Sequence, residues 1–468
     1  MKCTKVHETI QKSLIEIRQR FCLVDKIITE IKYVHATPFL VGGAVRDIFL
    51  KREIKDIDIE VHGITLDQLE KILKKNGVVR TVGKTFGVLR IDGLDVDWSI
   101  PRFDTAGRLP QVVFSEKMSI EDACKRRDLT MNAMMINLIT GELQDPFNGL
   151  QDLSNKVMRA ADPVFFVQDP LRFYRVIQFV GRFEMEPDIQ LDALCATMDT
   201  TGVSQERIFD EFEKLFLKSS KPSLAFKWLD KIGRLENLLP ELYATKGVMQ
   251  HPAFHPEGDV FEHTMQALDG AAQFSYQTAD KRLIMVFAAL CHDLGKVIAS
   301  RIIDGIIRSH GHDIAGVPLA EALLDRLTAK SRFKKPVLRL VRYHMTPVAL
   351  VKNNAGPGAY KRLAYNLAPE VSLRTLSQLC TIDKSARNSE RGKPLSVCPE
   401  PLIETFFKNA ELYGVLDIPE KPVLSGADFV GEIPEGPALG KILKDAYEIQ
   451  INEGIVDKNE LKKRVFKN

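Results

Sequence analysis

Residues 39–50 read Phe39-Leu40-Val41-Gly42-Gly43-Ala44-Val45-Arg46-Asp47-Ile48-Phe49-Leu50, and residues 56–61 read Asp56-Ile57-Asp58-Ile59-Glu60-Val61. The first stretch is a short apolar strand, a Gly-Gly turn and a helix. The second alternates acid and aliphatic residues with the period of two that a strand requires. Residues two apart on a strand share a face, so Asp56 and Asp58 present paired carboxylates, which repel unless a cation lies between them. All-oxygen ligands on a short strand suit Mg²⁺, which keeps water and substrate phosphates in its shell. The Gly42-Gly43 turn leads into a helix N-terminus, where backbone N–H groups face an anion, and Arg46 one turn on can add a phosphate contact. A phosphate cradle beside a two-carboxylate strand is the arrangement of a triphosphate–metal site. A third carboxylate is expected from a neighbouring strand, where Leu94-Asp95-Val96-Asp97-Trp98 offers Asp95 and Asp97, again on one face.

Outward from this core the chain changes character. The stretch Val78–Ile100 reads as further strands broken by glycines, whereas from Asp162-Pro163 onward the periodicity is helical and strand signals become rare. The expected fold is α+β: a small α/β head followed by an all-α body. The expected divisions are an N-terminal helix over 1–30, the head over 31–160, a helical neck over 161–250, a histidine-bearing domain over 251–390 and a helical tail over 391–468.

The 468 residues are 45% hydrophobic and 27% charged, which is globular usage, and the net charge of +3 leaves nucleic acid open as a partner. The 7 cysteines form no C-x-x-C pair, which argues against a disulfide scaffold and a thiolate zinc site. The N-terminus lacks the apolar run of a signal peptide, and no stretch reaches the ~18 apolar residues of a membrane span. A cytoplasmic protein is expected.

Two more head motifs follow. Arg126-Arg127-Asp128-Leu129-Thr130-Met131-Asn132-Ala133 suggests a helix beginning at Leu129 with Asp128 as its N-cap, and Asn132 four residues on sharing its face. Asp169, Arg172 and Arg175 fall at i, i+3 and i+6, a helical stripe of one acid and two bases. Taken together, G-G-A-V-R-D, K-D-I-D-I-E, R-R-D-L-T-M-N-A and D-P-L-R-F-Y-R resemble, in order, the motifs of the class II tRNA nucleotidyltransferase and poly(A) polymerase family. The resemblance implies a nucleotidyltransferase head in which Asp56, Asp58 and Asp97 are catalytic and Asp56 and Asp58 hold Mg²⁺. One metal ion would activate the RNA 3′-hydroxyl while another steadies the leaving pyrophosphate. It further implies nucleotide contacts from Gly42, Gly43, Arg46, Arg127, Asn132, Asp169, Arg172 and Arg175. Asp169 and Arg172 would form a protein template reading the Watson–Crick edges of CTP and ATP. Gln168 stands where many relatives have Glu. The segment Arg102–Lys117 reads as a long flexible loop of the kind that helps switch from C to A.

In the body, His251, His255, His263, His292, His310, His312 and His344 concentrate between residues 251 and 344. An apolar helical run ends in His292-Asp293-Leu294-Gly295-Lys296, with Glu262-His263 upstream and Asp383 downstream. This is similar to the HD phosphohydrolase superfamily, which implies His263, His292, Asp293 and Asp383 as ligands of a divalent metal (Mn, Ni, Fe, Zn or Mg). His312, in His310-Gly311-His312-Asp313, and His344 are either groups for a substrate phosphate or second metal, or structural. A class II head joined to such a module resembles one branch of bacterial CCA-adding enzymes. The implied partners are a tRNA 3′ end, CTP and ATP, with a phosphatase or 2′,3′-cyclic phosphodiesterase activity in the body. Alternatives are CC-only, A-only or poly(A) products, or an RNA-binding hydrolase with an inactive head. Residues 421–443 resemble a segment near the family's C-terminus, expected to cap the body and lie along the tRNA, and the basic end Lys462-Lys463-Arg464 is either a solvated helix or a phosphate contact.

Overall fold

The computed structural model describes residues 3–54, 56–82, 87–104, 112–328, 330–396 and 400–466, and its chain divides into two compact units, Met1–Ser204 and Gln205–Asn468.

In the first unit a seven-stranded mixed sheet has the order β3-β4-β5-β2-β1-β8-β9. Its strands are β1 (Thr37–Val41), β2 (Ile57–His62), β3 (Val79–Val82), β4 (Val88–Ile91), β5 (Val96–Ser99), β8 (Met135–Asn137) and β9 (Leu143–Gln144), while β6 (Arg102–Asp104) and β7 (Val112–Phe114) pair separately as a hairpin. The acid–aliphatic alternation places β2 near the centre of the sheet, with Ile57, Ile59 and Val61 buried and Asp58 on the open face. β2 runs antiparallel to β1 and parallel to β5, so Val41 and Asp97 both stand level with Asp58. The turn after β1 therefore delivers Gly42 beside that carboxylate.

The N-terminal segment is two helices, α1 (Cys3–Arg20) and α2 (Cys22–Tyr33), broken at Phe21 (φ −128°, ψ 68°). Helix α3 (Gly43–Phe49) follows the Gly-Gly turn, and α4 (Leu66–Lys74) starts with a capping box from Thr65 and Gln68. Helix α5 (Ile120–Lys125), capped by Ser119, leads into Arg126-Arg127. The expected helix at Leu129 is a single 3₁₀ turn, Thr130–Asn132, and Asp128 does not cap it. The Asp128 carboxylate is instead consumed by the Leu129 amide, Asn132 and Arg175. The Arg102–Lys117 segment contains the β6–β7 hairpin, and its residues 105–111 lie outside the described part.

Among its described residues the regular structure of the second unit is helical except for one exposed hairpin, Arg301–Ile303 with Ile306–Arg308, turned by Asp304 and Gly305 at φ 53° and 73°. Its core includes Phe209, Phe212, Phe216, Phe226 and Phe287, with Phe216 edge-on to Phe287 at 4.8 Å. The helix Ala279–Cys291 is buried from Met285 to Cys291 and packs between Val260–Gln273, Ser331–Tyr343 and Leu373–Ser385. The tail has a small core of its own, built on Leu424, Phe429, Leu439 and Leu461. Among the described residues no helix is long and apolar enough to cross a membrane.

Candidate active sites in the two units

In the head, Asp58 stands level with Asp97 and close enough to Asp56 to feel its charge. The Asp58 carboxyl titrates above its ordinary range, first because surrounding protein withdraws water and then because of Asp97, although the group keeps solvent access on the open face of the sheet. Asp97 is gripped by the Arg90 fork at 2.6 and 2.9 Å. A carboxylate whose proton affinity is raised by neighbouring acids is a fit environment for a divalent cation. Gly42 adopts φ 68°, open to glycine at little cost, and a Cβ there would stand 3.3 Å from Arg127 Nη1 and 3.9 Å from Asp58 Oδ2. The turn thus closes directly over the carboxylate, with Arg127 beside it.

A second constellation lies behind the first. Arg46, expected at a phosphate, is 5% exposed and committed within the protein: it pairs with Asp47, donates to Asn132 Oδ1 at 2.7 Å and faces the Phe183 ring at 4.5 Å. Asn132 in turn donates to Asp128, and Arg175 binds Asp128 Oδ2 through Nε at 2.7 Å and Nη2 at 2.6 Å. Burial pushes the Asp128 carboxyl up, but Arg175 and Asn132 outweigh it and hold it at about 2. Arg46, Asn132 and Asp128, all buried, and the half-buried Arg175 therefore form one hydrogen-bonded chain from α3 to the helix Leu171–Phe183. Asp169 lies just before that helix, where its Oδ1 accepts the Leu171 amide at 3.0 Å. Arg172, in the first turn, donates to the carbonyls of Phe165 (2.8 Å) and Arg126 (2.5 Å).

In the second unit the four expected ligands converge. His263 Nε2 is 3.2 Å from His292 Nε2, 3.4 Å from Asp293 Oδ2 and 3.1 Å from Asp383 Oδ1. His312 and His344 close a second cluster on the other oxygen, with Nε2 atoms 3.2 and 3.8 Å from Asp293 Oδ1 and 3.0 Å from each other. The Nδ1 atoms of His292, His312 and His344 meet the carbonyls of Ala289, Val341 and Ser309 at 2.7–2.8 Å: Ala289 for His292, Ser309 for His312 and Val341 for His344. A carbonyl accepts only, so each Nδ1 carries a proton, and in the neutral ring each Nε2 presents a lone pair inward. Two lone pairs facing at about 3 Å repel, unless both point at a cation. Cis ligands on ~2.1 Å bonds of an octahedral shell stand roughly 3 Å apart, matching this spacing. The residues present therefore fit divalent metal, with Asp293 shared between two clusters.

Two supports were not expected from the sequence. Glu257, 1% exposed, accepts from Nδ1 of both His263 (2.7 Å) and His255 (2.8 Å), the carboxylate that orients a ligating imidazole. Lys296, also buried, lies 2.7 Å from Asp293 Oδ2 and donates to Gln250. Burial raises Asp293, but Lys296 and then His292 hold it well below the carboxylate range. Burial above all depresses His344 to about 3, which keeps its ring neutral as a metal ligand requires.

Gly295, in the same His-Asp-Leu-Gly-Lys turn, is fixed by proximity. A Cβ there would stand 2.0 Å from the His312 carbonyl and 2.5 Å from the Gly316 amide. Gly295→Ala must displace the backbone that carries His312. Overpacking of this kind costs about 1–3 kcal/mol, so a lowered melting temperature of the second unit and weakened metal binding are expected, measured by calorimetry and metal titration.

Three family models match the chain: the Poly A polymerase head domain over residues 38–159, the probable RNA and SrmB-binding site of polymerase A over 183–245, and the HD domain over 260–369. Asp383 falls beyond the last match, yet its carboxylate reaches His263. The multifunctional CCA protein of Mannheimia succiniciproducens is 33% identical over 368 residues, covering 75% of this chain and 81% of that protein. That of Hahella chejuensis is 34% identical over 317 residues, covering 65% and 72%. Among solved structures, the Thermotoga maritima CCA-adding enzyme complexed with tRNA aligns over 98% of both chains with a TM-score of 0.57 at 20% identity. The Bacillus stearothermophilus CCA-adding enzyme in complex with CTP aligns over 95% of this chain and 97% of that one, with a TM-score of 0.60 at 19% identity.

Proposed function

This chain belongs to the family of multifunctional CCA proteins, and from that membership we propose that its head adds C, C and A to the 3′ end of tRNA from CTP and ATP while its HD unit hydrolyses phosphate esters. The observation that carries the first activity is the level pairing of Asp58 with Asp97 beneath the Gly42 turn. Asp56 and Asp58 would hold Mg²⁺, with Asp97 positioned by Arg90. When bound, the ion supplies charge neutralisation for the triphosphate and the reacting oxygens. The Gly42-Gly43 amides and Arg127 hold phosphate. The Arg46–Asn132–Asp128–Arg175 chain fixes the helix whose start offers Asp169 and Arg172 to the base. An acceptor and a donor side by side complement the edges of both cytosine and adenine. Positioning and electrostatics of this kind account for most of phosphoryl-transfer catalysis.

For the hydrolase, His263, His292, Asp293 and Asp383 would hold one divalent ion, and Asp293, His312 and His344 offer a second position. A bound ion there supplies Lewis acidity and a water of lowered pKa. Phosphomonoesters and 2′,3′-cyclic phosphates are the proposed substrates, which would let the chain clear a damaged RNA end before extending it.

The experiment is a pair of assays on the wild-type chain. Labelled CTP with Mg²⁺ should be incorporated into tRNA transcripts lacking CCA. A 2′,3′-cyclic nucleotide should be hydrolysed with at least one of Mn²⁺, Ni²⁺, Co²⁺ or Mg²⁺. No incorporation overturns the first reading, and no hydrolysis with any of the four metals overturns the second.

A further inference from the structure

Glu60 has no part in the chemistry described so far, yet it is among the most deeply placed charges in the head, at 1% exposure. It lies two residues after Asp58 and on the same face of β2, where Asp58 is open and Glu60 is covered. Its cover is the Arg126-Arg127 pair. Oε2 takes both Arg126 Nη2 and Arg127 Nη2, the latter at 3.4 Å, and Oε1 meets His62 Nε2 at 3.1 Å. Both carboxylate oxygens are thus engaged. Replacing a buried ion pair with apolar side chains is often neutral or stabilising, so stability alone gives little reason for this arrangement. Position gives a better one. Arg127, held at one end by Glu60, places Nη1 against Gly42 and leaves a buried Nε with no partner among the described residues. The Arg126 backbone carbonyl accepts Arg172 Nη2 at 2.5 Å.

We infer that Glu60 is a positioning residue for nucleotide selection: it ties the metal-bearing strand to Arg172 through Arg126 while aiming Arg127 at the phosphate turn. One buried carboxylate therefore fixes the distance between the reacting phosphate and the base-reading arm. The inference rests on the reading of Arg172 as a base-selecting group. Its consequence is specific. Without Glu60, Arg126 loses its side-chain anchor, Arg172 loses a fixed acceptor, and a non-cognate base is rejected less well. Triphosphate binding still has the Gly42-Gly43 turn.

The test measures kcat and KM for CTP, UTP, ATP and GTP with Glu60→Ala, Glu60→Gln, Arg172→Ala and the Glu60→Ala/Arg172→Ala double variant, each checked for melting temperature. Arg172→Ala should erode discrimination against UTP and GTP. Glu60→Ala should erode it about 10-fold, with the KM for CTP changed less than about 3-fold. The double variant should discriminate no worse than Arg172→Ala alone, because residues acting along one path are not additive. Glu60→Gln keeps length and one acceptor oxygen, should retain part of the discrimination, and carries the test if the alanine variant does not fold. The inference is overturned if Glu60→Ala (or Glu60→Gln in its place) keeps wild-type discrimination, if it slows all four nucleotides by one common factor, or if the two losses simply add. Unchanged discrimination in Arg172→Ala would instead remove the base-selection reading itself, and this inference with it.

Discussion

Asp58→Ala is expected to reduce nucleotide addition at least ~10³-fold while hydrolysis by the HD unit continues at the wild-type rate. The carboxylate lies level with Asp97 and under Gly42, so its removal leaves the triphosphate without one of its principal metal ligands. A loss of about 4 kcal/mol of transition-state stabilisation gives a factor of that size. The substitution also relieves the desolvation and then the repulsion from Asp97 that raise Asp58's own pKa. The folded head should therefore be no less stable, and its melting temperature should hold or rise. Loss of activity with an unchanged or higher melting temperature is the signature of a functional carboxylate. Joint loss of addition and stability would mark Asp58 as structural.

Asp293→Ala is expected to show the second large effect, in the opposite unit. Its two oxygens serve two clusters: Oδ2 faces His263 and His292, and Oδ1 faces His312 and His344. Removing it should abolish metal-dependent hydrolysis and cut metal affinity, measured by calorimetric titration of the purified chain. His344→Ala touches only the second cluster and should do less. Addition of C and A should persist in both variants, since Asp56, Asp58 and Asp97 belong to the other compact unit. Equal defects in the two variants would argue against a shared Asp293.

Local chemistry was legible in the sequence wherever it lay in one segment. The alternation in Asp56–Val61 placed Asp56 and Asp58 on one strand face, the Gly42-Gly43 turn was recognisable as the lead into a helix N-terminus, and the apolar run before His292 ended where the motif requires. Supports drawn from distant segments were not. Glu60 reaches Arg126 across 66 residues. Glu257 is local, but no spacing shows that its carboxylate turns onto Nδ1 of both His255 and His263. The 3₁₀ turn at Thr130 replaced a helix because long-range Arg175 claims the carboxylate that would have capped it. The break at Phe21 carries no Gly or Pro to announce it. The hairpin at Arg301–Arg308 did carry a signal, an Asp-Gly pair flanked by isoleucines, which favours a tight turn with both residues at positive φ. Its short strands were hidden by the helical periodicity on either side.

The central claim is that one head selects C, C and then A without a nucleic-acid template. Sequencing the products formed by the wild-type chain on three tRNA transcripts tests it most directly: one ending before CCA, one after the first C and one after CC. Each is given CTP alone, ATP alone or both. With both nucleotides the account predicts that every transcript is completed to CCA and then stops, and with CTP alone that extension halts after the second C. With both nucleotides present, products ending at CC, addition of A only to the transcript already ending in CC, or long A tracts on any transcript would contradict it.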